Sequence, residues 1–305
     1  MSAAPVLDVR RMRVLREVAN RGTIAAAARA LAYTPSAVSQ QLATLEREAG
    51  VALLDRRGGR VALTEAGRRL VSRTEGILAE LESAAAELAA ARSAVAGNVH
   101  LGAFPSAEKA LVAPALGRLR ARHPQLAIRT TELEPEAALP ALRHGDVDLA
   151  VVHEDVRRPH APDPRVERED LMEDPLLVVL ATDHPALADA VALTAVRAER
   201  WVATPPGTAC RAMLDDACRA EGFVPDVPFH ANDFAVLAAY AAEGLAVALI
   251  PALAAGGFGP EVAVRPVAGA GVRRRIYVAA RRGTLANPAV RAVADALGAA
   301  ALTAA

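Results

Sequence analysis

The chain has 305 residues, 53% of them apolar, which predicts about two domains with sizeable cores and excludes a disordered protein. Its formal net charge is zero, but the charges are unevenly distributed. Residues 1–64 carry ten arginines and five acidic residues, a net charge of +5, whereas the remainder carries 25 basic and 30 acidic residues, a net charge of −5. A basic N-terminal unit on an acidic body indicates that only the first part contacts a polyanion.

The chain shows no sign of export or membrane insertion. Its first nine residues have neither a basic n-region nor an apolar h-region, so no signal peptide is predicted. No apolar run is long enough to span a bilayer. Two cysteines do not make a disulfide framework. These features predict a cytoplasmic protein without a membrane partner.

The first fifty residues predict three helices. Residues 8–20 carry apolar side chains on one face, and Thr23 is a good N-cap for a second short helix. Thr34 and Pro35 are then an N-cap and a proline at the first helical position, which is a strong signal for the start of a third helix. This third helix is expected to run to about Ala49.

The third helix has two distinct faces. Its inner face is apolar, with the residues Val38, Leu42, Leu45 and Ala49. Its outer face is small and polar, with Ser36, Gln40, Ala43 and Arg47 opposite them and Ser39 on the flank. Small side chains let a helix enter the DNA major groove, where Ser and Gln reach base edges. The alternative is an ordinary solvated helix face.

A β-hairpin with a basic tip follows the third helix. Val51 to Thr64 alternates apolar residues on both sides of Gly58-Gly59, which is typical of a hairpin. Its tip carries Arg56, Arg57 and Arg60. Beside a helix-turn-helix, such a tip is placed to touch phosphates or the minor groove, as a wing does. The alternative is an arginine-rich surface loop.

A long helix begins at Thr64 and is expected to end at Gly97-Asn98. Apolar or small residues recur on it at alternating spacings of four and three: Leu70, Thr74, Ile77, Leu81, Ala84, Leu88, Ala91 and Val95. This heptad seam predicts pairing with a second copy of the helix.

From Val99 onward the pattern alternates between strands and helices. Strands are predicted at 99–103, 126–132, 148–152, 176–181, 201–203, 247–251 and 275–280, and helices near 107–122, 135–144, 207–221, 233–243 and 288–302. The stretches 156–166 and 256–271 are predicted to be crossovers or loops. The alternation predicts an α/β arrangement with mostly parallel sheets.

Several quoted segments carry a family resemblance. "GTIAAAARAL", "TPSAVSQQLATLEREAGVALL" and "RRGGRVALTEAGRRL" resemble the winged helix-turn-helix and linker helix of LysR-type transcriptional regulators. "VHLGAFPSA", "HPQLAIRTTELEPEAALPALRHGDVDLAVV", "PPGTACRAMLDDACRAEGF" and "LAAYAAEGLAVALIP" resemble that family's effector domain. The resemblance covers nearly the whole chain.

The resemblance implies an architecture in three parts. A winged helix-turn-helix domain (residues 1–64) precedes a linker, or dimerisation, helix (65–97) and an α/β effector-binding domain (98–305). The effector domain would consist of two lobes that resemble periplasmic solute-binding proteins, lobe I at about 98–170 and 270–305 and lobe II at about 171–269. A homodimer joined by the linker helices, often paired further into tetramers, would bind double-stranded promoter DNA and respond to a small-molecule effector between the lobes.

Two sets of site residues follow. For DNA contact we predict Thr23, Thr34, Pro35, Ser36, Ser39, Gln40, Arg56, Arg57 and Arg60. For the effector we predict Ser106, Glu134, His153, Thr204, Thr208 and Asn232, because they lie where strands end and helices begin in an α/β fold. A hydroxyl at a helix start can share an anion with backbone N–H groups, so an anionic effector is one option. The alternative for each effector residue is plain helix capping or a structural role.

No metal, cofactor or catalytic site is predicted. Cys210 and Cys218 lie eight residues apart in one predicted helix, about 12 Å and beyond disulfide reach, so we interpret them as buried small apolar residues. The seven histidines show no metal-binding spacing. The leading hypothesis is a ligand-responsive DNA-binding regulator that is not an enzyme. The second is an α/β enzyme or ligand-binding protein with an N-terminal helical appendage and no DNA role.

Overall fold

The computed structural model describes residues 7–55, 61–90 and 95–304. They form two compact units, the first built on the chain up to residue 91 and the second on the chain from residue 92.

Three helices open the first unit, as predicted: α1 (Val9–Arg21), α2 (Ile24–Ala30) and α3 (Pro35–Ala49). Each begins at a side-chain cap, because an oxygen of Asp8, Thr23 or Thr34 accepts a hydrogen bond from a backbone N–H two or three residues further on. The glycines after α1 and α3 adopt left-handed backbone, with φ of 73° at Gly22 and 67° at Gly50.

The core of this unit combines apolar side chains with a buried ion pair. Val38, Leu42 and Leu45 of α3 are buried, as the predicted inner face requires, together with Met12, Leu15 and Val18 of α1. Arg16 and Glu17 are also buried, and the Arg16 guanidinium lies 2.6 Å from the Glu17 carboxylate. Arg21 donates to the same carboxylate at 3.1 Å. Glu17 therefore enters the core with its charge compensated.

The predicted hairpin forms, but its paired strands are shorter than the sequence indicates. They are β1 (Leu54–Asp55) and β2 (Ala62–Leu63), antiparallel with Leu54 opposite Leu63. Val51, predicted to belong to the first strand, is instead 51% exposed outside it. Glu46 of α3 accepts hydrogen bonds from the backbone N–H groups of Leu53 and Leu54, at 2.9 and 3.1 Å, and thereby determines where the strand begins.

The long helix is α4 (Glu65–Ala90), and its predicted heptad seam divides into two parts. Leu70 packs against the core of the first unit and Thr74 is buried. Further along, Ile77, Leu81 and Leu88 are exposed by 39%, 51% and 74%. The predicted helix end at Gly97-Asn98 is wrong, because Gly97 begins the next strand with a φ of 127°. Ala91 lies outside the described residues.

The second unit is an α/β fold. Its described helices are α5 (Pro105–Ala107), α6 (Ala113–Arg122), α7 (Pro135–His144), α8 (Ala209–Ala220), α9 (Phe234–Ala242) and α10 (Pro288–Ala304), and a π-helical turn at Glu108–Val112 joins the first two. Its described strands are β3 (Gly97–Ala103), β4 (Leu126–Glu132), β5 (Leu149–Asp155), β6 (Val166–Ala181), β7 (Arg200–Ala203), β8 (Asp226–His230), β9 (Ala248–Pro251), β10 (Val262–Pro266) and β11 (Val272–Arg281).

The main sheet is mixed, so the prediction of mostly parallel sheets is wrong. Its order is β10-β6-β11-β5-β3-β4, and β9 also pairs with β6. β3 pairs in parallel with β4 and β5, whereas β6 pairs antiparallel with β9, β10 and β11. β7 and β8 form a separate parallel pair, which a bridge from Trp201 to Val247 connects to the segment before β9.

Three strand predictions need correction. β6 begins at Val166 and not at 176, the predicted loop 256–271 contains β10, and β8 was not predicted. The first half of β6 reads "VEREDLMED", which lacks an apolar alternation. It is a strand because it pairs with β11 along its length, and such pairing is a tertiary contact that periodicity does not reveal.

Two separate pairs of apolar cores make the unit two-lobed, as predicted. One pair lies on the two faces of the sheet around β3, β5 and β11, and the other lies around β6, β7 and β9. The strands β6 and β11 contribute side chains to cores of both lobes. They therefore connect the lobes, whose numerical boundaries stay a prediction.

Gly67, in the first turn of α4, is required by a close approach of backbone. A Cβ at this position would lie 2.1 Å from the carbonyl oxygen of Leu53. We expect Gly67→Ala to destabilise the first unit by about 1–3 kcal/mol, because backbone must move to relieve the overlap. Urea unfolding followed by circular dichroism measures this.

Gly76→Ala is the matched control, since nothing lies within 4 Å of a Cβ at Gly76 on the same helix. We expect it to raise stability by up to about 1 kcal/mol through helix propensity. Equal effects of the two substitutions would contradict the close-approach explanation.

Candidate functional site

The start of α3 is shaped by its turn and its cap. Ala32 has a φ of 53°, the one left-handed non-glycine residue in the part of the chain that the structure describes. The Thr34 hydroxyl oxygen then accepts from the N–H of Ala37 at 3.2 Å and lies 3.0 Å from the Ser36 hydroxyl oxygen. Pro35 occupies the first helical position. A tight turn and a satisfied cap hold the first turn of α3 at the surface.

The outer face of α3 is exposed as the sequence predicts. Ser36, Gln40, Ala43 and Arg47 are all exposed, on the side opposite the buried Val38, Leu42 and Leu45. Ser39 is partly buried, and its hydroxyl donates to the carbonyl oxygen of Pro35 at 3.0 Å. The hydroxyl proton of Ser39 is therefore used within the helix, which leaves its oxygen as an acceptor.

Polar contacts with α1 hold the other flank of α3. The Arg11 side chain donates to the Gln41 side-chain oxygen at 3.1 Å and also pairs with Glu48. Gln41 thus faces inward to a partner, whereas its neighbour Gln40 faces solvent. At α2, the exposed Thr23 accepts from the N–H of Ala26 at 3.1 Å and keeps its hydroxyl proton for an outside acceptor. The predicted wing residues Arg56, Arg57 and Arg60 lie outside the described residues.

The second unit brings the six predicted effector residues to one cavity between its lobes. Ser106, Glu134, His153, Thr204, Thr208 and Asn232 all line it. The cavity has a volume of about 20 Å³, which is room for about one water molecule. An adjoining cavity of about 440 Å³ shares Ser106 and Asn232 and includes Lys109 and Glu132.

One detail of the sequence interpretation is wrong. His153 and Glu154 were expected in a loop after the third strand, but they lie within β5 (Leu149–Asp155) and are buried there. The other five residues lie where predicted, at or just before the first turns of helices.

Arg274 of β11 is a cavity residue that the sequence did not reveal. Its side chain is 1% exposed and lies opposite Asp174 of β6, which is fully buried. Its Nε donates to the Asp174 carboxylate at 2.9 Å, and its second terminal nitrogen donates to the Ser106 hydroxyl at 2.9 Å. The guanidinium also lies 4.8 Å from the centre of the Phe104 ring. Arg274 stands in the run "VRRRIYV", where local sequence does not distinguish it from the neighbouring arginines.

His153 is an uncharged side chain with an unused hydrogen-bonding atom. It is 1% exposed, and its Nδ1 is buried without a partner. Burial holds the pKa of His153 well below its ordinary value, and the positive charges of Arg274 and His160 lower it further. The neutral ring packs edge-on against Phe104 with 4.8 Å between ring centres.

Glu134 also lines the cavity, and its pKa is shifted upward, whereas that of His153 is shifted downward. Burial raises the pKa of its carboxyl above the ordinary value, and the like charges of Glu136 and Glu132 raise it further, against the opposing effect of Arg274. The negative charge of Glu134 is thus disfavoured in this place.

The two threonines of the cavity form hydrogen bonds within the protein at the start of α8. The Thr208 hydroxyl donates to the carbonyl of Pro205 at 2.9 Å and accepts from the N–H of Arg211 at 3.3 Å, which makes it the N-cap of α8. Its oxygen lies 2.7 Å from that of Thr204, and because the Thr208 proton is already used, Thr204 donates in this pair. Helix capping therefore takes up both hydroxyl protons.

Both cysteines lie on α8, as predicted, but only Cys218 is fully buried. Cys210 is partly buried and lines the cavity. Burial raises the pKa of the Cys210 thiol to about 11 and that of the Cys218 thiol to about 12. Both are therefore thiols, not thiolates, at neutral pH.

A metal-binding cluster and a membrane-spanning helix are both absent from the residues that the structure describes. No group of three or more His, Cys, Asp or Glu side chains in them is placed to hold a metal ion. Nor does any helix among them have the length and apolar character to cross a membrane.

The Arg274–Asp174 pair provides a test of how the cavity is held together. We expect Asp174→Asn to lower the free energy of unfolding by about 3–5 kcal/mol, because it leaves the buried Arg274 charge uncompensated. The double variant Asp174→Asn with Arg274→Met should recover most of that loss. Urea unfolding followed by fluorescence of Trp201, the single tryptophan and fully buried in the second unit, measures it. A single variant no less stable than the double variant would contradict this account.

Comparison with known proteins identifies both units. The model of the bacterial regulatory helix-turn-helix protein, LysR family, matches residues 9–68, and the model of the LysR substrate-binding domain matches residues 92–302. Together these matches favour the regulator over the α/β enzyme or ligand-binding protein without a DNA role.

Relatives and solved structures agree with the family models. The chain is 28% identical over 296 residues to the HTH-type transcriptional regulator GalR of Pseudomonas putida, covering 94% of this chain and 72% of that one. In fold it is similar to a cysteine-to-aspartate variant of full-length OxyR from Pseudomonas aeruginosa, with a TM-score of 0.71, 19% identity and coverage of 96% and 95% of the two chains. It is also similar to full-length CbnR complexed with the target DNA, with a TM-score of 0.56, 20% identity and coverage of 96% and 100%.

A helix-turn-helix unit with an exposed polar face on α3 and a two-lobed α/β unit with a cleft thus occur in one chain, and the family models match both. The chain belongs to the LysR family of transcriptional regulators, which combine a helix-turn-helix DNA-binding domain with an effector-binding substrate domain.

Proposed function

We propose that α3 reads promoter DNA through its exposed first turns. The observation that carries this proposal is the two-sided helix: Val38, Leu42 and Leu45 anchor it in the core, while Ser36 and Gln40 face outward. Gln40 is the side chain best suited to a bidentate contact with adenine in the major groove. The DNA-contact set is the predicted one: Thr23, Thr34, Pro35, Ser36, Ser39, Gln40, Arg56, Arg57 and Arg60.

The members of this set have different roles in the proposal. Ser36, Ser39 and Gln40 contact base edges or the adjacent backbone, and Thr34 with Pro35 fixes the angle at which the helix enters the groove. Thr23 donates its hydroxyl proton to a phosphate oxygen. The three arginines contact phosphates or the minor groove without reading the sequence.

We propose further that the cleft of the second unit binds the effector through Ser106, Glu134, His153, Thr204, Thr208 and Asn232. The unpartnered Nδ1 of buried His153 supports this role, because a buried nitrogen without a partner costs free energy that a ligand could recover. An effector that binds one arrangement of the lobes more tightly than another shifts the balance between them by the ratio of the two affinities.

Self-association and location complete the proposal. The exposed Ile77, Leu81 and Leu88 on α4 form an apolar row that a second linker helix would cover in a homodimer, with tetramers as a further step. The regulator works in the cytoplasm, where promoter DNA lies. We assign it no catalytic activity.

The two adjacent glutamines test the DNA proposal directly. We expect Gln40→Ala to reduce discrimination between the chain's own upstream DNA and substituted sites by about 1–3 kcal/mol at the base pair it contacts. Gln41→Ala is the matched control, since Gln41 accepts from Arg11 within the unit, and it should leave discrimination unchanged. Fluorescence anisotropy with a panel of single-base variants measures both. Loss of discrimination in Gln41→Ala alone would refute the assignment of the faces.

The wing proposal has a separate signature. We expect Arg56→Ala to weaken binding to all sequences alike and to reduce the slope of log K against log salt by about 1, because one phosphate contact is lost. The same anisotropy titration at several salt concentrations measures the slope. If the unaltered chain bound its upstream DNA without any dependence on salt, the proposed function itself would fail.

A further inference from the structure

The start of α8 is already occupied by a carboxylate of the chain itself. Glu136, in the first turn of α7, reaches across the cleft, and its Oε1 accepts a hydrogen bond from the backbone N–H of Ala209 at 2.8 Å. Ala209 is the first residue of α8, a helix of 12 residues. Glu136 therefore holds the position where the partial positive charge at the beginning of α8 would attract an external anion.

Two further backbone donors at the start of α8 are also used within the chain. The N–H of Arg211 donates to the Thr208 hydroxyl, and the N–H of Ala212 donates to the carbonyl of Thr208 at 3.1 Å. The hydroxyl protons of Thr204 and Thr208 serve the same cap. An anion would have to displace Glu136 to accept from the N–H of Ala209.

The charges around the cavity disfavour an anion as well. Among its described lining residues the charged side chains are Glu134 and Arg274, and the Arg274 charge is compensated by buried Asp174 at 2.8 Å. Glu136 lies close enough to Glu134 for like-charge repulsion to raise the pKa of the Glu134 carboxyl. His153 lines the cavity uncharged, with its Nδ1 unpartnered. The inner cavity thus offers hydrogen bonds without an uncompensated positive charge, whereas Lys109 and Glu132 line the adjoining cavity.

We propose that Glu136 is a built-in substitute for an anionic ligand at the start of α8, so that the cleft selects against anions and takes a small uncharged polar ligand at His153 and Ser106. This inference rests on the proposed role of the cleft as the effector site. It revises the option of an anionic effector, for which the hydroxyls of Ser106 and Thr208 at helix starts were the best candidates.

A second contact supports the bridging role of α8. Arg158, in the loop after β5, pairs with Asp216 in the second half of α8, so lobe I contacts this helix at two separate places. Together with the Glu136 contact at the start of the helix, this pair connects α8 to lobe I.

Acetate and acetamide are a suitable pair of probes, because they have nearly the same shape and differ in charge. The full chain is titrated with each at fixed ionic strength and neutral pH, with binding followed by NMR or calorimetry. We expect the unaltered chain to bind acetamide more tightly than acetate. We expect Glu136→Ala to bind acetate at least about tenfold more tightly than the unaltered chain, because a tethered competitor at millimolar effective concentration has been removed.

The controls separate this effect from a general change of charge. Glu243→Ala removes another exposed glutamate, at the end of α9, and should leave the affinity for acetate within about twofold of the unaltered chain. Glu136→Gln keeps an oxygen acceptor at the same place and should give a smaller gain, and it serves as the test should Glu136→Ala fail to fold. Circular dichroism checks the fold of each variant.

Three results would overturn the inference: tighter binding of acetate than of acetamide by the unaltered chain, no gain in acetate affinity on removal of Glu136, or an equal gain in Glu243→Ala. DNA binding is not measured in this titration. A chain that fails the DNA test can still show the gain in acetate affinity, and one that passes it can fail to show the gain, so the two proposals are judged separately.

Discussion

The buried ion pair between Arg274 and Asp174 is the interaction on which the second unit depends. It joins β11 and β6 at directly opposed positions, and these two strands contribute to the apolar cores of both lobes. Asp174 also accepts from the N–H of Leu253 at 3.1 Å, and Arg274 also donates to Ser106. One pair of charges thus connects four segments at the place where the lobes meet. Because each charge is paired and hydrogen-bonded, burial costs far less than it would for either charge alone.

The same pair determines the electrostatic potential that a ligand meets in the inner cavity. A buried arginine beside a ligand cavity would ordinarily attract anions, but Asp174 cancels its charge from within the protein. What remains for a ligand is the orientation of hydrogen bonds, from Ser106 held by Arg274 and from the neutral His153. Glu136 completes this arrangement by filling the start of α8. In this chain, the inner cavity, although helix starts surround it, therefore has no uncompensated positive charge among its described lining residues.

In the first unit, too, some polar side chains are paired within the protein and others are left exposed to solvent. Glu17 neutralises the buried Arg16, Glu46 satisfies the backbone at the start of β1, and Gln41 pairs with Arg11. These side chains are committed to holding three helices and a hairpin together. The exposed Ser36 and Gln40 are left on the outer face of α3, and the opposite face of this helix is buried in the core.

Local signals account for most of what the sequence determined. Thr34-Pro35 starts α3, Gly50 ends it, and four-and-three spacing identifies its buried side, because capping and helical periodicity depend on residues within one or two turns. The same reasoning placed five of the six predicted effector residues at strand ends or helix starts, since an α/β fold gathers such ends at one edge of a sheet, whereas His153 lies within β5. The tertiary structure alone decided the rest. It made "VEREDLMED" a strand by pairing it with β11, singled out Arg274 among adjacent arginines by placing Asp174 opposite, and brought Glu136 to α8 across 73 residues of chain. Such contacts join residues distant in sequence, and burial and charge compensation are properties of the folded arrangement that no local pattern contains.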